Sequence, residues 1–541
     1  MLGARAGEGS RDERRAWWRV FCLAALAIGA WAFAVPLGTG PDEGSHVVRA
    51  AGVVRGDLIG AKLPIGDNAW VMVRAPADYV DVDRFGVCFL GDPYEPIFGS
   101  HRDRADIDAC PRVDGVDEVE PLPTYQHRGQ PLLYALVGLP SRWFPGENGL
   151  YMMRVLTTVL GAAFLASAWL SVRRLPDPGA ASVALAAAVT PSVLYFSGVV
   201  NPVGLEMAAA LSAWTSGLAL AGAPGMPGGR LVARAGLALA VLTVTRGLGP
   251  LFAAVVVAVC VLLADPERRR ALARRTDVRV WGAVVAAGVV ATGVWLVNLQ
   301  RGYPLPARDG TGLVEAVGRL PWFVRGIVGV FGPTDVVPPA ALHLLWAAVV
   351  VTILVVTARR GRRRDAVVAG GLLLAAAALL VSGEGWSIPQ TGYWWQGRYV
   401  FPLFAGAVLV AGAAVGRRPS RPGPALSPPA RAGLLAVLAV AHVWAFAYAL
   451  RHYAVGFDGT LDPLDVLFHG YWSPVVGTAW LWAACLVVGV LGLTLTAWRS
   501  APSPGGPDTD GGTAGDGSAR PARTEQPEPE RPGALTLEIA P

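Results

Sequence analysis

The sequence predicts an all-α integral membrane protein with about twelve transmembrane helices and a long first extracytoplasmic loop. Of its 541 residues, 53% are hydrophobic and only 16% are charged, a composition unlike that of soluble globular domains. Apolar runs recur along most of the chain, separated by short arginine-rich or Gly/Pro-rich breaks. Because lipid cannot hydrogen-bond open backbone groups, runs of this length are expected to cross the bilayer as helices.

The amino-terminal residues 1–15 are polar and basic, and we assign them to the cytoplasm. The first apolar run, residues 16–37, is long enough to cross a bilayer. Its small residues resemble a signal-peptide cleavage site, but its length favours a helix that is retained. The polytopic transmembrane domain is therefore expected over residues 16–498.

Residues 38–128 form the long polar loop, which is too rich in proline, aspartate and glycine to span. The loop contains Cys88 and Cys110. A disulfide between them would close a loop of about 22 residues and contribute about 3 kcal/mol, and the sequence leaves open whether it forms. Residues 129–145 are apolar but interrupted by Pro140, which predicts a helix lying on the outer membrane surface.

The remaining spans follow at short intervals. Their predicted bounds are 150–172, 180–199, 202–222, 232–246, 248–264, 281–299, 339–358, 366–382, 399–416, 432–450 and 475–498. With the amino terminus inside, every arginine cluster between spans falls on the cytoplasmic side, as the positive-inside rule requires. The polar loops at 300–338, 383–398 and 451–474 then lie on the outer side with the first loop.

Residues 499–541 are rich in Pro, Gly, Ser, Thr and acidic residues. Such a segment buries too little surface to offset its ordering entropy, which predicts a disordered cytoplasmic tail. We therefore expect a multi-pass protein of a bacterial plasma membrane with both termini in the cytoplasm. The net charge of +6 resides in the arginine clusters between spans, which argues against nucleic acid as a partner.

The most informative motif is the string PDEGSH at residues 41–46, directly after the first span. Two carboxylates and an imidazole at a membrane face fit general-base catalysis on an acceptor hydroxyl. Asp42 and Glu43 also fit a divalent cation that holds phosphate oxygens, and His46 shares a helical face with Glu43. The alternative is an ordinary helix start, with Asp42 as the cap and Glu43 favoured by the helix dipole.

Two further segments place polar groups near the same membrane face. Glu206 lies about one turn inside an apolar run, where an ionisable group usually faces a cavity or a partner. The alternative is a helix entry that Asn201 caps, with Glu206 in reach of lipid headgroups. Asp81 and Asp83 form a D-x-D pattern, but this pattern is frequent by chance in an Asp-rich loop, which favours a solvated loop.

The segment WWQGRY at residues 394–399 lies at an outer membrane boundary. Its arginine offers a planar fork for phosphate oxygens, and its tryptophans offer faces for sugars or headgroups; the alternative is an aromatic belt with a snorkelling arginine. The substrate-binding candidates are Arg398, Tyr399, Gln396, Trp394, Trp395, Arg246, Asn201 and Glu206. The motifs of nucleotide hydrolases and zinc proteases are absent from the sequence.

Four blocks resemble, in order and spacing, the bacterial family called domain of unknown function 2142. They are PDEGSHVVRAAGVVRG, VVNPVGLEMAAAL, VFGPTDVVPP and QGRYVFPL. The layout of that family is similar to the GT-C class of membrane glycosyltransferases, which use polyprenyl-phosphate-linked sugars on the outer face. The resemblance implies that Asp42 or Glu43 is the catalytic carboxylate and that Arg398 binds the lipid phosphate.

Together these features predict a glycosyltransferase in the lipid bilayer that moves a sugar from a polyprenyl-phosphate donor to a cell-envelope acceptor. Asp42 or Glu43 is expected to act as the base or to bind a divalent cation, and His46 to orient them. Arg398, with Arg246, would offset charge on the leaving phosphate. The alternative is a transporter or flippase of a lipid-linked envelope precursor, which typically shows charges through the bilayer and internal repeats.

Overall fold

The computed structural model describes residues 2–63, 70–89, 110–116, 118–300, 312–414, 426–456, 459–479 and 482. In this part of the chain, nineteen α-helices form a membrane bundle and the first loop adds one small sheet. The helices are α1 (Leu2–Ala34), α2 (Glu43–Val54), α3 (Asp81–Val87), α4 (Pro131–Val137), α5 (Gly146–Val172), α6 (Pro178–Ala188), α7 (Pro191–Gly198), α8 (Pro202–Gly222), α9 (Gly229–Thr245), α10 (Gly249–Leu263), α11 (Pro266–Arg274), α12 (Thr276–Gln300), α13 (Leu313–Gly318), α14 (Leu320–Val328), α15 (Ala340–Arg360), α16 (Arg363–Thr391), α17 (Phe401–Ala414), α18 (Pro428–Val455) and α19 (Pro463–Phe468).

Eight helices within the described ranges are long and apolar enough to cross a membrane, and the number is nine if the bent pair α6–α7 is counted as one broken span. The eight are α1 from Arg11, α5, α8, α12, α15, α16, the segment Gly397–Ala414 and α18. The helical membrane fold is thus confirmed. Two of the other predicted spans correspond to α9 and α10, which have only 17 and 15 residues. The predicted span 475–498 and the predicted tail 499–541 lie almost wholly outside the described residues.

The centre of the bundle is built from helices rich in small residues. Helix α5 packs against α1 and α8, and α9 packs on α8. The span window of α8 is 83% buried and that of Gly397–Ala414 is 94% buried, whereas that of α12 is 6% buried. Gly406 lies against the indole of Trp214, whose Nε1 donates to the Pro402 carbonyl at 2.7 Å. Small residues permit this close approach of helices, and α12 is left to face lipid.

The first loop carries an antiparallel sheet that the sequence pattern did not indicate. Its strands are β1 (Ala61–Lys62), β2 (Val71–Pro76) and β3 (Val119–Thr124), in the order β1-β2-β3. Strand β2 alternates buried and less buried side chains, and its Val73 packs on Gly52 of α2. The sheet therefore covers α2, the helix that begins with the PDEGSH motif.

Two other features of the loop bear on its shape. Cys88, directly after α3, is joined to Cys110 by a disulfide with the Cα atoms 6.3 Å apart. The apolar segment at 129–145 forms α4 and a short 3-10 turn rather than a span. Leu132 and Trp143 of this segment are 63% and 68% exposed, an apolar surface suited to the edge of a bilayer.

Candidate active site

The turn that precedes α2 holds Asp42 in an unusual conformation. Its φ of 59° and ψ of 16° lie in the left-handed region, which aspartate tolerates better than most residues. Although Asp42 occupies the N-cap position, its side chain makes no capping hydrogen bond. Its Oδ1 accepts instead from the hydroxyl of Tyr125 at 2.8 Å, and the residue is exposed. The carboxylate therefore faces away from the helix and is accessible.

Glu43, the next residue, is buried and fully engaged. Its Oε1 accepts from Nε of Arg154 at 2.8 Å and its Oε2 from Nη2 at 2.5 Å. Three backbone N–H groups also donate to it, from Gly38, Gly40 and Val200. Burial acts to raise the pKa of Glu43, but Arg154 and these donors outweigh it and lower the pKa. With its lone pairs occupied, Glu43 is suited to holding the turn and not to taking a proton.

Asn201 fastens the same turn from the start of α8. Its Oδ1 accepts from the backbone N–H of Val203 at 2.9 Å, which is the capping role considered for it. Its Nδ2 donates to the Pro41 carbonyl at 2.8 Å. Both polar atoms of Asn201 thus have a partner within the protein, and these two hydrogen bonds position the turn.

His46 lies one turn into α2 and is buried. Its Nδ1 is 2.7 Å from the hydroxyl of Tyr134. The predicted orientation of the two carboxylates by His46 stays a prediction; the hydrogen bonds place Asp42 against Tyr125 and Glu43 against Arg154.

The buried imidazole predicts a loss of stability at mildly acidic pH. Burial, aided by Arg246 and Arg398, lowers the pKa of His46 to about 4, although Asp42 and Glu43 act in the opposite direction. Protonation therefore favours the unfolded chain, where the pKa is about 6.5. We expect stability to fall as the pH drops from 7 to 5, by about 2 kcal/mol from this residue. Melting temperatures at both pH values would show a smaller fall for His46→Gln, and equal falls would contradict the assignment.

Two arginines come from distant spans to the same place. Arg246, at the end of α9, donates to Glu206 Oε2 at 2.9 Å, and its guanidinium lies 4.7 Å from the ring centre of Tyr399. The guanidinium of Arg398 lies 5.4 Å from the centre of the same Tyr399 ring and 4.7 Å from the ring centre of Phe196. Both arginines are close enough to His46 to affect its pKa. The structure thus unites the PDEGSH, NPVGLE and QGRY blocks.

Arg398 differs from Arg246 in its partners. It is 3% exposed, yet its Nε has no hydrogen-bond partner in the described part of the chain. No described carboxylate forms an ion pair with it, whereas Arg246 is paired with Glu206. A buried cation without an ion-pair partner is costly. Such a group is suited to receiving an anion. The accessible carboxylate of Asp42 is close enough to Arg398 to act on it electrostatically.

The aromatic residues beside Arg398 form the wall of the site. The backbone N–H groups of Trp394 and Trp395 both donate to Glu384 Oε2, at 3.1 and 2.7 Å. The Trp394 side chain is 60% exposed, and Trp395 packs edge-on against Tyr399 with ring centres 6.0 Å apart. Gln396 has a buried Oε1 without a partner among the described residues. Trp394 therefore presents an exposed aromatic face at the start of this segment.

The divalent cation suggested by the motif finds little support in the described ranges. They contain no group of three or more His, Cys, Asp or Glu side chains placed to hold a metal ion. Of the two suggested ligands, Glu43 already binds Arg154 and three backbone N–H groups. Asp42 alone does not make a cation site, so no step of the chemistry is assigned to a metal.

Two residues of the first loop reach the site although neither was among the predicted site residues. Tyr125 follows β3 and holds Asp42, and a lone tyrosine in a polar loop carries no sequence signal. Asp83 lies against the start of α2, because a Cβ atom on Gly44 would be 2.0 Å from its Oδ1. The D-x-D pattern was its only signal. Asp81 pairs with Arg84 at 2.9 Å, and both acids lie in helix α3 and not in a solvated loop.

Comparison with known proteins identifies the family of the chain. No curated protein sequence matches the chain. Among solved structures, ArnT from Cupriavidus metallidurans bound to undecaprenyl phosphate is similar to 89% of this chain and 76% of that chain, with a TM-score of 0.44 and 16% identity. The family model described as "Predicted membrane protein (DUF2142)" matches residues 25–407, which confirms the resemblance seen in the sequence. The chain therefore belongs to the DUF2142 family of membrane proteins.

Proposed function

We propose that the chain is a membrane glycosyltransferase that moves a sugar from a polyprenyl-phosphate donor to a cell-envelope acceptor at the outer face of a bacterial plasma membrane. The observation that carries this proposal is the buried guanidinium of Arg398, which forms no ion pair with a described carboxylate and lies near the accessible Asp42. Arginine presents a planar set of donors that matches phosphate oxygens. A phosphate beside an accessible carboxylate is the arrangement that sugar transfer from a lipid phosphate needs.

The reaction follows from this arrangement. The Asp42 carboxylate takes the proton of an acceptor hydroxyl, and the hydroxyl oxygen attacks the anomeric carbon of the sugar. The bond between that carbon and the phosphate oxygen breaks, and the phosphate leaves with the electron pair. Arg398, supported by Arg246, stabilises the charge that develops on the leaving phosphate. Trp394, with its exposed face, is suited to stacking on the sugar.

The position of the charged groups supports transfer over transport. Asp42, Arg246, Glu206 and Arg398 converge at one end of the bundle, close to the first loop. The positive-inside rule, applied to the arginine clusters between spans, predicts that this end faces outward. A carrier of a charged headgroup would need polar groups along its path through the bilayer. The convergence at one end is instead suited to chemistry at the membrane surface.

The experiment that tests the proposal uses a deletion strain and substitutions of Arg398. We expect the strain to lack an envelope sugar and to accumulate its lipid-phosphate donor, both measured by mass spectrometry. Wild type should restore the sugar, whereas Arg398→Gln should reduce transfer about 10–100-fold, because charge-assisted hydrogen bonds contribute about 1.5–3 kcal/mol. Arg325→Gln, which alters an exposed arginine of α14, is the matched control and should restore the sugar fully.

Two results would contradict the proposal. One is a normal envelope sugar with Arg398→Gln at wild-type abundance, because the buried arginine would then have no part in transfer. The other comes from purified protein in lipid vesicles. Movement of a lipid-linked sugar between leaflets without its transfer to an acceptor would favour the transporter or flippase alternative.

A further inference from the structure

We infer that Glu384 is a positioning residue, whose buried carboxylate holds the turn at Trp394 and Trp395 and thereby orients Arg398 toward the lipid phosphate. The inference rests on the proposed role of Arg398. An arginine side chain has several rotatable bonds, and fixing it costs entropy. A site that receives a phosphate therefore binds it more tightly when the backbone that carries the arginine is held before the ligand arrives.

The carboxylate of Glu384 joins two segments of the chain. It lies near the end of α16 and is 0% exposed. Its Oε2 accepts from the backbone N–H of Trp394 at 3.1 Å and from that of Trp395 at 2.7 Å. Two successive N–H groups that converge in this way form a small anion-binding nest. A side chain of the protein itself occupies this nest, and the segment after α16 is thereby held against the helix.

The second oxygen of Glu384 contacts a third element. Its Oε1 lies 2.8 Å from Nε of Arg319, the residue directly before α14. The guanidinium of Arg319 also lies 3.8 Å from the ring centre of Tyr393, within the range of a cation–π interaction. Arg319 therefore offsets the charge of the buried carboxylate. Because Glu384 is paired with this arginine, Arg398 keeps its capacity to receive an anion.

Helix α14 holds the other end of the same segment. A Cβ atom on Gly397 would lie 1.8 Å from the Phe323 carbonyl oxygen of α14, a distance that only glycine permits. Glu384 thus fixes the beginning of the segment, α14 fixes its end, and Arg398 follows directly. Since Arg319 links Glu384 to the start of α14, the two supports form one unit.

The Trp395 side chain extends this support to the ring beside Arg398. A Cβ atom on Gly383 would lie 2.2 Å from Cε2 of the Trp395 indole, so the indole lies directly on α16. The indole also packs edge-on against Tyr399, with ring centres 6.0 Å apart, and the Arg398 guanidinium lies over that same ring. Gly383→Ala therefore disturbs the turn by a second route that leaves the buried charge in place.

Hydrogen–deuterium exchange of the purified full-length protein tests the hold on the turn. Glu384→Met has a similar volume and no acceptor, so exchange of the Trp394 and Trp395 amides should become about tenfold faster. Glu384→Gln keeps an oxygen for both amides and should stay within about threefold of wild type. Asp465→Asn, which alters a 46% exposed acid of α19, should match wild type. Unchanged exchange in Glu384→Met overturns the inference, whether or not the protein transfers a sugar.

Binding of undecaprenyl phosphate tests the effect on Arg398. Glu384→Met and Arg398→Gln should each weaken the Kd about tenfold, and Glu384→Gln should recover most of the loss. The double variant should bind no more weakly than Arg398→Gln alone, because Glu384 acts only through that arginine. Losses that multiply would show an independent effect of Glu384 on binding and would overturn the positioning role.

Gly383→Ala decides the question if Glu384→Met does not accumulate. It should also weaken the Kd, and this loss should likewise disappear when Arg398→Gln is present. If Arg398→Gln loses binding while Glu384→Met and Gly383→Ala keep the wild-type Kd, the inference is wrong and the proposed function stands. If Arg398→Gln binds undecaprenyl phosphate and restores the envelope sugar as wild type does, the proposed function fails, and the positioning role fails with it.

Discussion

Replacing Asp42 by asparagine is expected to reduce sugar transfer about 10²–10⁴-fold, the usual contribution of a general base, with wild-type abundance of the protein. Asparagine has the same shape, tolerates the left-handed conformation of this residue, and keeps an oxygen for Tyr125. The change therefore removes the proton acceptor and little else. The measurement is mass spectrometry of envelope glycans and lipid-linked sugars in the deletion strain carrying each variant.

The control for this prediction is Asp81→Asn, which also neutralises an acid of the first loop. Asp81 pairs with Arg84 on the surface of α3, so its loss should leave transfer unchanged. Full restoration of the envelope sugar by Asp42→Asn would show that this residue is not the base. The motif would then be an unusual helix start without a part in the chemistry.

The second large effect concerns stability. We expect Glu43→Gln to lower the free energy of unfolding by about 3–5 kcal/mol, because it leaves Arg154 as a buried charge without its partner. The two side chains are 1% and 2% exposed, so solvent offers little compensation. The variant should accumulate poorly in the membrane and melt at a lower temperature in detergent. Fluorescence-detected size-exclusion chromatography and thermal melts measure both quantities.

A double-mutant cycle shows whether this loss comes from the ion pair. Glu43→Gln combined with Arg154→Gln should cost less than the sum of the single changes, because neither charge is then left alone. A Glu43→Gln protein that accumulates and melts as wild type but transfers no sugar would reverse the assignment. Glu43 would then belong to the chemistry and Asp42 to the support.

The position of the candidate site was predictable from the sequence, but the separate roles of Asp42 and Glu43 were not. The blocks around Asp42, Arg246 and Arg398 each lie at a membrane boundary, and the alternation of spans brings them to the same end. The local pattern gave no means of distinguishing Asp42 from Glu43. The distinction depends on Arg154, which lies 111 residues further along the chain in another helix, and long-range pairing leaves no local spacing.

The limits of the fold prediction have similar causes. The three-stranded sheet consists of short strands separated by long stretches of loop. The sequence therefore shows no strong alternation of polar and apolar residues that would predict these strands. Helices α9 and α10 were predicted as spans from their hydropathy, and the structure gives them 17 and 15 residues. The contact of Asp83 in α3 with Gly44 in α2 is a tertiary contact, and the two-residue spacing of the acids carries no information on it.

The Glu43–Arg154 pair also sets an order for biosynthesis. An arginine within a span resists insertion, at a cost of about 2.5–3.5 kcal/mol at the helix centre, and Glu43 is the group that offsets this charge. As the nascent chain emerges from its amino terminus, Glu43 is synthesised 111 residues before Arg154. The ion pair that fixes the turn around Asp42 can form only when α5, the second span, has been made. The candidate site is complete only later still, when the segments that carry Arg246 and Arg398 have joined the bundle.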